Sequence, residues 1–201
     1  MPASYAHGAS TAPLLGLTIG EGLRATAERF PDADALVVRH QHYRCTYRQL
    51  WDLTGRVARG LLALGVAKGD RVGIWSPNRY EWPVVQFAAA RVGAILVNVN
   101  PSYRTFELEY ALNQSGVSVL VLARGYRQTD YGPLWEAVRP RCPGVRHAVQ
   151  MERDWSAFLA AGDDVPELAL AEREADLRFD DPINIQYTSG TTGRPKGATL
   201  T

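Results

Sequence analysis

The sequence predicts an α/β fold, a mostly parallel and buried sheet with helices on both faces, and two observations carry that prediction. Strand-like and helix-like patterns alternate through the middle of the chain, the rhythm of β–α–β units. Two of the strands, Ala94-Ile95-Leu96-Val97 and Val117-Ser118-Val119-Leu120-Val121-Leu122, are nearly continuous apolar runs, as expected where helices cover a sheet on both sides. A length of 201 residues suits one domain or a large part of one.

Thr18 and Glu21 have capping-box spacing, Leu23, Ala27 and Phe30 follow at helical spacing, and Pro31 stops the run, so a helix is expected over 19–30. Short strand-like runs at 35–39 and 43–46 flank a polar turn. Thr46 and Gln49 form a second capping box and open a helix over 47–64, whose Leu50, Val57, Leu61 and Leu64 make one apolar stripe ahead of Gly65 as a C-terminal cap. The alternation continues with a strand at 71–75, an Asn78-capped helix reaching 92, a strand at 94–99, a helix at 105–115 and a strand at 117–123. Residues 131–139 read as a helix, 145–151 as a strand and 154–161 as a short helix. From 162 to 182 the chain holds eight acidic and two basic residues, which predicts a solvated connection with at most one short helix. Pro182 then introduces Ile183-Asn184-Ile185-Gln186-Tyr187, an alternating strand that runs into a Gly/Thr/Ser/Pro-rich loop.

Composition narrows the function classes. Hydrophobic residues at 46% and charged residues at 21% give the balance of a folded globular chain rather than a disordered or fibrous one. A formal net charge of +1 provides no global field for nucleic acid or an anionic membrane, so any anion site must be local. The most apolar stretch, 87–97, is broken by Arg91 and is far shorter than the ~18 residues of a membrane span. Cys45 and Cys142 belong to no C-x-x-C pair, and the first basic residue is Arg24, so neither a zinc motif nor a signal or transit peptide is legible and a cytoplasmic protein with reduced thiols is expected. Arginine outnumbers lysine 20 to 2, the mark of a GC-rich coding bias, and one of the two surviving lysines is Lys196.

The loop reads Thr188-Ser189-Gly190-Thr191-Thr192-Gly193-Arg194-Pro195-Lys196-Gly197. Gly190, Gly193 and Gly197 permit positive φ and leave backbone N–H groups open, so the chain can fold into a nest of donors around an anion. The hydroxyls of Thr188, Ser189, Thr191 and Thr192 can donate to phosphate oxygens, and the Lys196 ammonium can neutralise charge building on a leaving group. The spacing is neither a Walker loop nor a dinucleotide fingerprint. By composition alone a flexible linker fits equally well; the ordered string decides between them.

Tyr187 to Thr201, YTSGTTGRPKGATLT, resembles the signature of the adenylate-forming superfamily, which includes acyl-CoA synthetases, firefly-type luciferases and peptide-synthetase adenylation domains. Ser76-Pro77-Asn78 before Glu81-Trp82, Val97-Asn98-Val99-Asn100-Pro101-Ser102-Tyr103-Arg104 and Glu107-Leu108-Glu109-Tyr110 look like the N-terminal subdomain of acyl-CoA synthetases. The opening Ser4-Tyr5-Ala6-His7-Gly8 with Pro13-Leu14-Leu15-Gly16, and Asp181-Pro182 leading the last strand, look most like medium-chain fatty-acid CoA ligases. The resemblance implies a two-step reaction on a fatty acid, with Mg2+-bound ATP and then coenzyme A as co-substrates and acyl-AMP between them. It implies that Lys196 and Thr191 act in the first step, with Thr188, Ser189, Gly190, Thr192, Gly193 and Gly197 around the phosphates.

The family pattern continues past Thr201 with a histidine, an adenine-binding segment, an aromatic-Gly-x-Thr-Glu motif, a ribose-binding aspartate and a C-terminal domain carrying a lysine. Residues 1–201 are therefore expected to be a partial large domain: an extended segment at 1–17, the acidic connection at 162–182, and a strand plus phosphate loop at 183–201. Alone it is expected not to activate an acid, and to leave Ile183, Ile185 and an open strand edge at risk of exposure. Two other readings remain open: a segment of an acyl-AMP ligase that never uses coenzyme A, and a non-catalytic binding module on the same scaffold.

Other constellations read as structural. In a strand, His40 and His42 share a face that Cys45 leaves, so a polar turn is preferred to a metal site. Asp180-Asp181 fits a turn before Pro182 better than a magnesium site. The tryptophans at 51, 75, 82, 135 and 155 fall mostly on apolar faces, and Ser189 lacks the G-x-S-x-G context of a hydrolase nucleophile.

Overall fold

The computed structural model describes residues 15–188 and 195–201. The chain opens with helix α1 (Ile19–Arg29), closed at its start by the Thr18/Glu21 capping box, followed by the antiparallel pair β1 (Asp34–Val38) and β2 (Tyr43–Thr46). Between those strands lies a single 3-10 turn, Arg39–Gln41, and His42 takes the left-handed conformation that ends it. Helix α2 (Tyr47–Ala63) starts on the Thr46/Gln49 capping box. Its end is a Schellman turn: Gly65 sits at φ +74°, and the Val66 amide donates back to the Leu61 carbonyl at 3.1 Å.

The β–α–β rhythm follows as β3 (Arg71–Trp75), α3 (Glu81–Arg91), β4 (Ile95–Val99), α4 (Thr105–Ser115) and β5 (Val117–Leu122). A two-residue hairpin, β6 (Gly125–Tyr126) with β7 (Thr129–Asp130), precedes α5 (Tyr131–Val138), β8 (His147–Gln150), α6 (Met151–Asp163), α7 (Glu167–Ala175), β9 (Asn184–Thr188) and β10 (Lys196–Leu200). Helix α3 begins at Glu81 rather than near Asn78, because residues 76–80 form an irregular bridge out of β3 and no side chain caps the helix.

The strand order is β10-β9-β4-β3-β5-β8, parallel throughout except for β10, which pairs antiparallel to β9. Side chains of the parallel strands alternate between two cores. Val72, Ile74, Leu96, Val119 and Val121 pack with α2, α3 and α6, whereas Trp75, Val97, Val99, Leu120 and Leu122 pack with α4 and α5. Helices thus cover both faces, as the apolar runs predict.

The acidic segment 162–182 is largely exposed and carries one helix, α7, but it is pinned to the body of the domain at several points. Leu170 of α7 is buried in the first core, and Arg173 donates to the carbonyls of Val66 and Val92. Arg91, with its side chain 5% exposed, pairs with Glu174 at 2.5 Å and stacks its guanidinium over Trp51 at 3.5 Å. Lys68 donates to the Asp176 carbonyl at 2.7 Å and pairs with Asp181 at 3.0 Å. The run of acids is the complement of a basic surface built by α2, the turn before β3, and α3. The open sheet edge is β10, exposed along its whole length; β9 is flanked by β4 and β10, and Ile185 packs against the second core.

Candidate active site

The carboxyl ends of β3, β4 and β9 meet at a cleft of about 630 Å3 bordered by Ser76, Asn78, Trp82, Asn98, Asn100, Tyr126, Gln186 and Tyr187. Its position follows from topology. The chain leaving β3 turns into α3 on one face of the sheet, while the chain leaving the neighbouring β4 turns into α4 on the other, so the two connections part and leave a crevice between them. Among the described residues the lining holds no carboxylate or cation: it combines amides, a serine hydroxyl, tyrosine and tryptophan side chains and the apolar Pro77, Val99 and Pro101. Among the described residues the buried Asn98 side-chain oxygen has no hydrogen-bond partner, and neither does that of Asn184 one strand away. Such acceptors are costly to leave unmet.

The lip of the cleft is fixed from behind. Glu81, 3% exposed, receives two bonds from the Arg79 guanidinium at 2.7 and 2.6 Å and a third from Gln41 at 3.0 Å. Burial opposes its charge, but these donors outweigh it and hold its carboxyl below the ordinary glutamate range. Gln41 also accepts from the Tyr80 amide at 2.7 Å, and Arg79 reaches on to Glu152 of α6, so the bridge leading from β3 to Trp82 has little freedom.

At the end of β9 the register sets Thr188 opposite Lys196 and Tyr187 opposite Gly197. The first hydroxyl and the lysine of the Thr188–Gly197 motif therefore share one face of a two-stranded stem, and the Thr188 hydroxyl donates to the Lys196 carbonyl at 3.5 Å. Gly197 lies within β10 and is not among the glycines with positive φ. What it supplies is room: a Cβ there would stand 2.9 Å from Ile185 Cγ2 and 3.6 Å from the Tyr187 ring. Ser189, Gly190, Thr191, Thr192 and Gly193 lie outside the described residues. β10 and the pairing that makes the stem went unpredicted, since Gly-Ala-Thr gives a weak strand signal and no burial pattern marks it.

Neither the histidine pair nor Asp180-Asp181 joins this site. Cys45 is buried under β1, and Asp181 accepts from the Arg178 amide and pairs with Lys68. Among the described residues, no group of three or more His, Cys, Asp or Glu side chains could hold a metal ion, and no helix is long and apolar enough to cross a membrane.

A family model described as AMP-binding enzyme matches residues 23–201, nearly the whole chain. The chain belongs to the AMP-binding enzyme family. Within that family it is 39% identical over 217 aligned residues to the mitochondrial medium-chain acyl-CoA ligase ACSF2 of Mus musculus, covering 98% of this chain and 35% of the ligase. It is also 39% identical to the putative acyl-CoA synthetase YngI of Bacillus subtilis, covering 94% and 38%. Among solved structures, a Mycobacterium tuberculosis fatty acyl CoA synthetase superposes with a TM-score of 0.78 at 30% identity, over 92% of this chain and 34% of that one. The chain spans about a third of the length of the relatives it matches. As in those AMP-binding structures, the fold is a helix-covered, mostly parallel sheet.

Proposed function

We propose that residues 187–201 carry the ATP-phosphate loop of an acyl-CoA synthetase and that the whole protein activates a fatty acid. In the first step a carboxylate oxygen attacks the α-phosphorus of ATP, the bond to the bridging oxygen breaks, and acyl-AMP and pyrophosphate form. In the second, the thiol of coenzyme A attacks the acyl carbonyl and displaces AMP. The observation that carries the reading is the stem at the carboxyl end of β9, which sets Thr188 and Lys196 of the ordered motif side by side next to the crevice of the sheet. Relatives named as acyl-CoA ligases support it.

In this reading Lys196 and Thr191 stabilise charge developing on pyrophosphate. Thr188, Ser189 and Thr192 donate hydroxyls to the phosphates, Gly190 and Gly193 leave backbone donors open, and Gly197 leaves room for the Ile185 side chain. Mg2+ enters as Mg-ATP, held by the phosphates, and no side chain of this chain is assigned to it. The amides and aromatic rings in the described lining of the cleft suit the neutral parts of the reactants. The medium-chain ligase names of the relatives favour a fatty acid of that class, and buried reduced Cys45 and Cys142 fit the cytoplasm as the compartment, although the ACSF2 relatives are named mitochondrial.

The test is ATP–pyrophosphate exchange by a full-length protein carrying this chain. Lys196→Ala and Thr191→Ala should each slow acyl-AMP formation by about 2–4 kcal/mol, the usual loss for one charge-stabilising donor. Thioester formation from supplied acyl-AMP should suffer less. Undiminished exchange by the Lys196 variant removes the assignment.

A further inference from the structure

The lysine at the centre of this reading sits on a poorly supported strand. β10 is exposed at all five positions, and among the described residues β9 is its one strand partner. β4 pairs with β9 over Asn184–Gln186, so Tyr187 and Thr188 with Gly197 and Lys196 extend past it as a two-stranded end of the sheet, yet a phosphate-contacting ammonium on a four-carbon stem needs a backbone that does not wander. The support comes from α4, which lies across the second face of the stem. The Tyr187 hydroxyl stands 3.2 Å from the Ala111 carbonyl oxygen and 3.0 Å from Gln114 Oε1, and donates to this pair of acceptors. The Tyr110 hydroxyl, one turn earlier on α4, donates to the Pro195 carbonyl at 3.3 Å.

The second contact is the more informative. Proline brings no N–H of its own, so its carbonyl is the polar group through which this residue can be tied down, and that carbonyl shares a peptide plane with the Lys196 nitrogen. Fixing the Pro195 oxygen sets the orientation of the plane from which Lys196 departs. The lysine side chain leaves toward the face it shares with Thr188, opposite to α4, so Tyr110 can steer it without competing for its ligand.

We propose that Tyr110 is a positioning residue for Lys196, acting through the Pro195 carbonyl, with α4 as the splint of the phosphate-loop stem. The inference rests on the reading of Lys196 as a phosphate contact, and the experiment separates the two. In a full-length protein carrying this chain, Tyr110→Phe, Lys196→Ala and the double variant are compared by ATP–pyrophosphate exchange and by thermal unfolding. Tyr110→Phe should lower kcat for exchange about three- to ten-fold, the scale of one hydrogen bond whose loss lets a catalytic group drift. It should leave KM for the fatty acid unchanged and the melting temperature within about 2 °C, since one half-buried hydroxyl is removed and the ring stays. The double variant should be no slower than Lys196→Ala alone.

A silent Tyr110→Phe beside an impaired Lys196→Ala overturns the positioning role and leaves the phosphate loop standing. Multiplicative losses in the double variant also overturn it, because Tyr110 would then act independently of the lysine. A silent Lys196→Ala removes both readings. Should Tyr110→Phe unfold, Tyr110→Trp offers an indole N–H in place of the hydroxyl, and exchange by that variant with the Lys196 dependence retained would support the role, whereas a folded but Lys196-independent variant would refute it.

Discussion

Replacing Arg91 by leucine should release α7 from the body of the domain. The guanidinium is nearly sealed: its side chain is 5% exposed, it donates to Glu174 at 2.5 Å and to the Trp51 carbonyl and Thr54 hydroxyl at 3.0 Å each, and it stacks 3.5 Å above the Trp51 ring. Summing these bonds would overstate the effect, because burying a guanidinium has already cost much of what they return. Glu174, 28% exposed, can recover water once its partner is gone, which places the loss near the low end for a broken buried pair. About 3 kcal/mol is therefore expected, or a fall in melting temperature of about 6–12 °C for a domain of this size. Urea unfolding gives the energy, and hydrogen exchange locates it: amides of α7 should lose protection ahead of those in β3 and β4. The double variant Arg91→Leu/Glu174→Leu should recover part of the loss. A loss below about 1 kcal/mol, or one that leaves exchange in α7 unaltered, would refute the claim that this pair is the anchor.

Gly162→Ala should cost about 3 kcal/mol, since the added Cβ would lie 2.5 Å from the Arg56 carbonyl and 2.6 Å from the Gly60 nitrogen, both backbone atoms of α2 that cannot rotate away; a neutral variant in urea unfolding would show that the helices separate freely. Glu81 makes stability pH-dependent with a definite sign. Its carboxyl is held below the ordinary glutamate value, so the stabilisation is complete above that value and disappears as pH falls through the lowered one. Glu81→Gln should accordingly flatten the acid limb of a melting-temperature profile below the ordinary glutamate range, and an unchanged slope would assign the acid sensitivity to other groups.

The parts of the fold that were legible in the sequence are those whose burial leaves a trace in the order of residues. β3, β4 and β5 are apolar because helices cover them on both sides, and the capping boxes at Thr18 and Thr46 are local patterns needing no tertiary information. β10 carries no such trace, because an exposed edge strand asks nothing of its side chains. Segment 162–182 is legible only in part, for a related reason. Composition reports its eight acids but not the cations they meet, and Arg59, Lys68 and Arg91 come from residues 83 to 108 positions away. The reason for Gly197 was not legible, since the Ile185 side chain it makes room for belongs to the opposite strand.

The two lysines draw these threads together. In a chain that otherwise uses arginine, a retained lysine invites a local reason, and Lys68 has one visible in its surroundings. Its stem lies over Gly93, where a Cβ would meet Lys68 Cγ at 3.0 Å, and its ammonium joins a backbone carbonyl and the Asp181 carboxylate within one small space. A compact ammonium with three freely directed donors fits that corner, whereas the planar fork of arginine is wider and directs its donors in one plane. Lys68→Arg should therefore loosen the segment leading into β9, even though charge is conserved, and hydrogen exchange at residues 176–184 would register it. Since β9 supports the strand bearing Lys196, the same variant is expected to weaken pyrophosphate exchange modestly while Lys196→Arg weakens it strongly; equal and negligible effects of both would show that neither position depends on lysine rather than on positive charge.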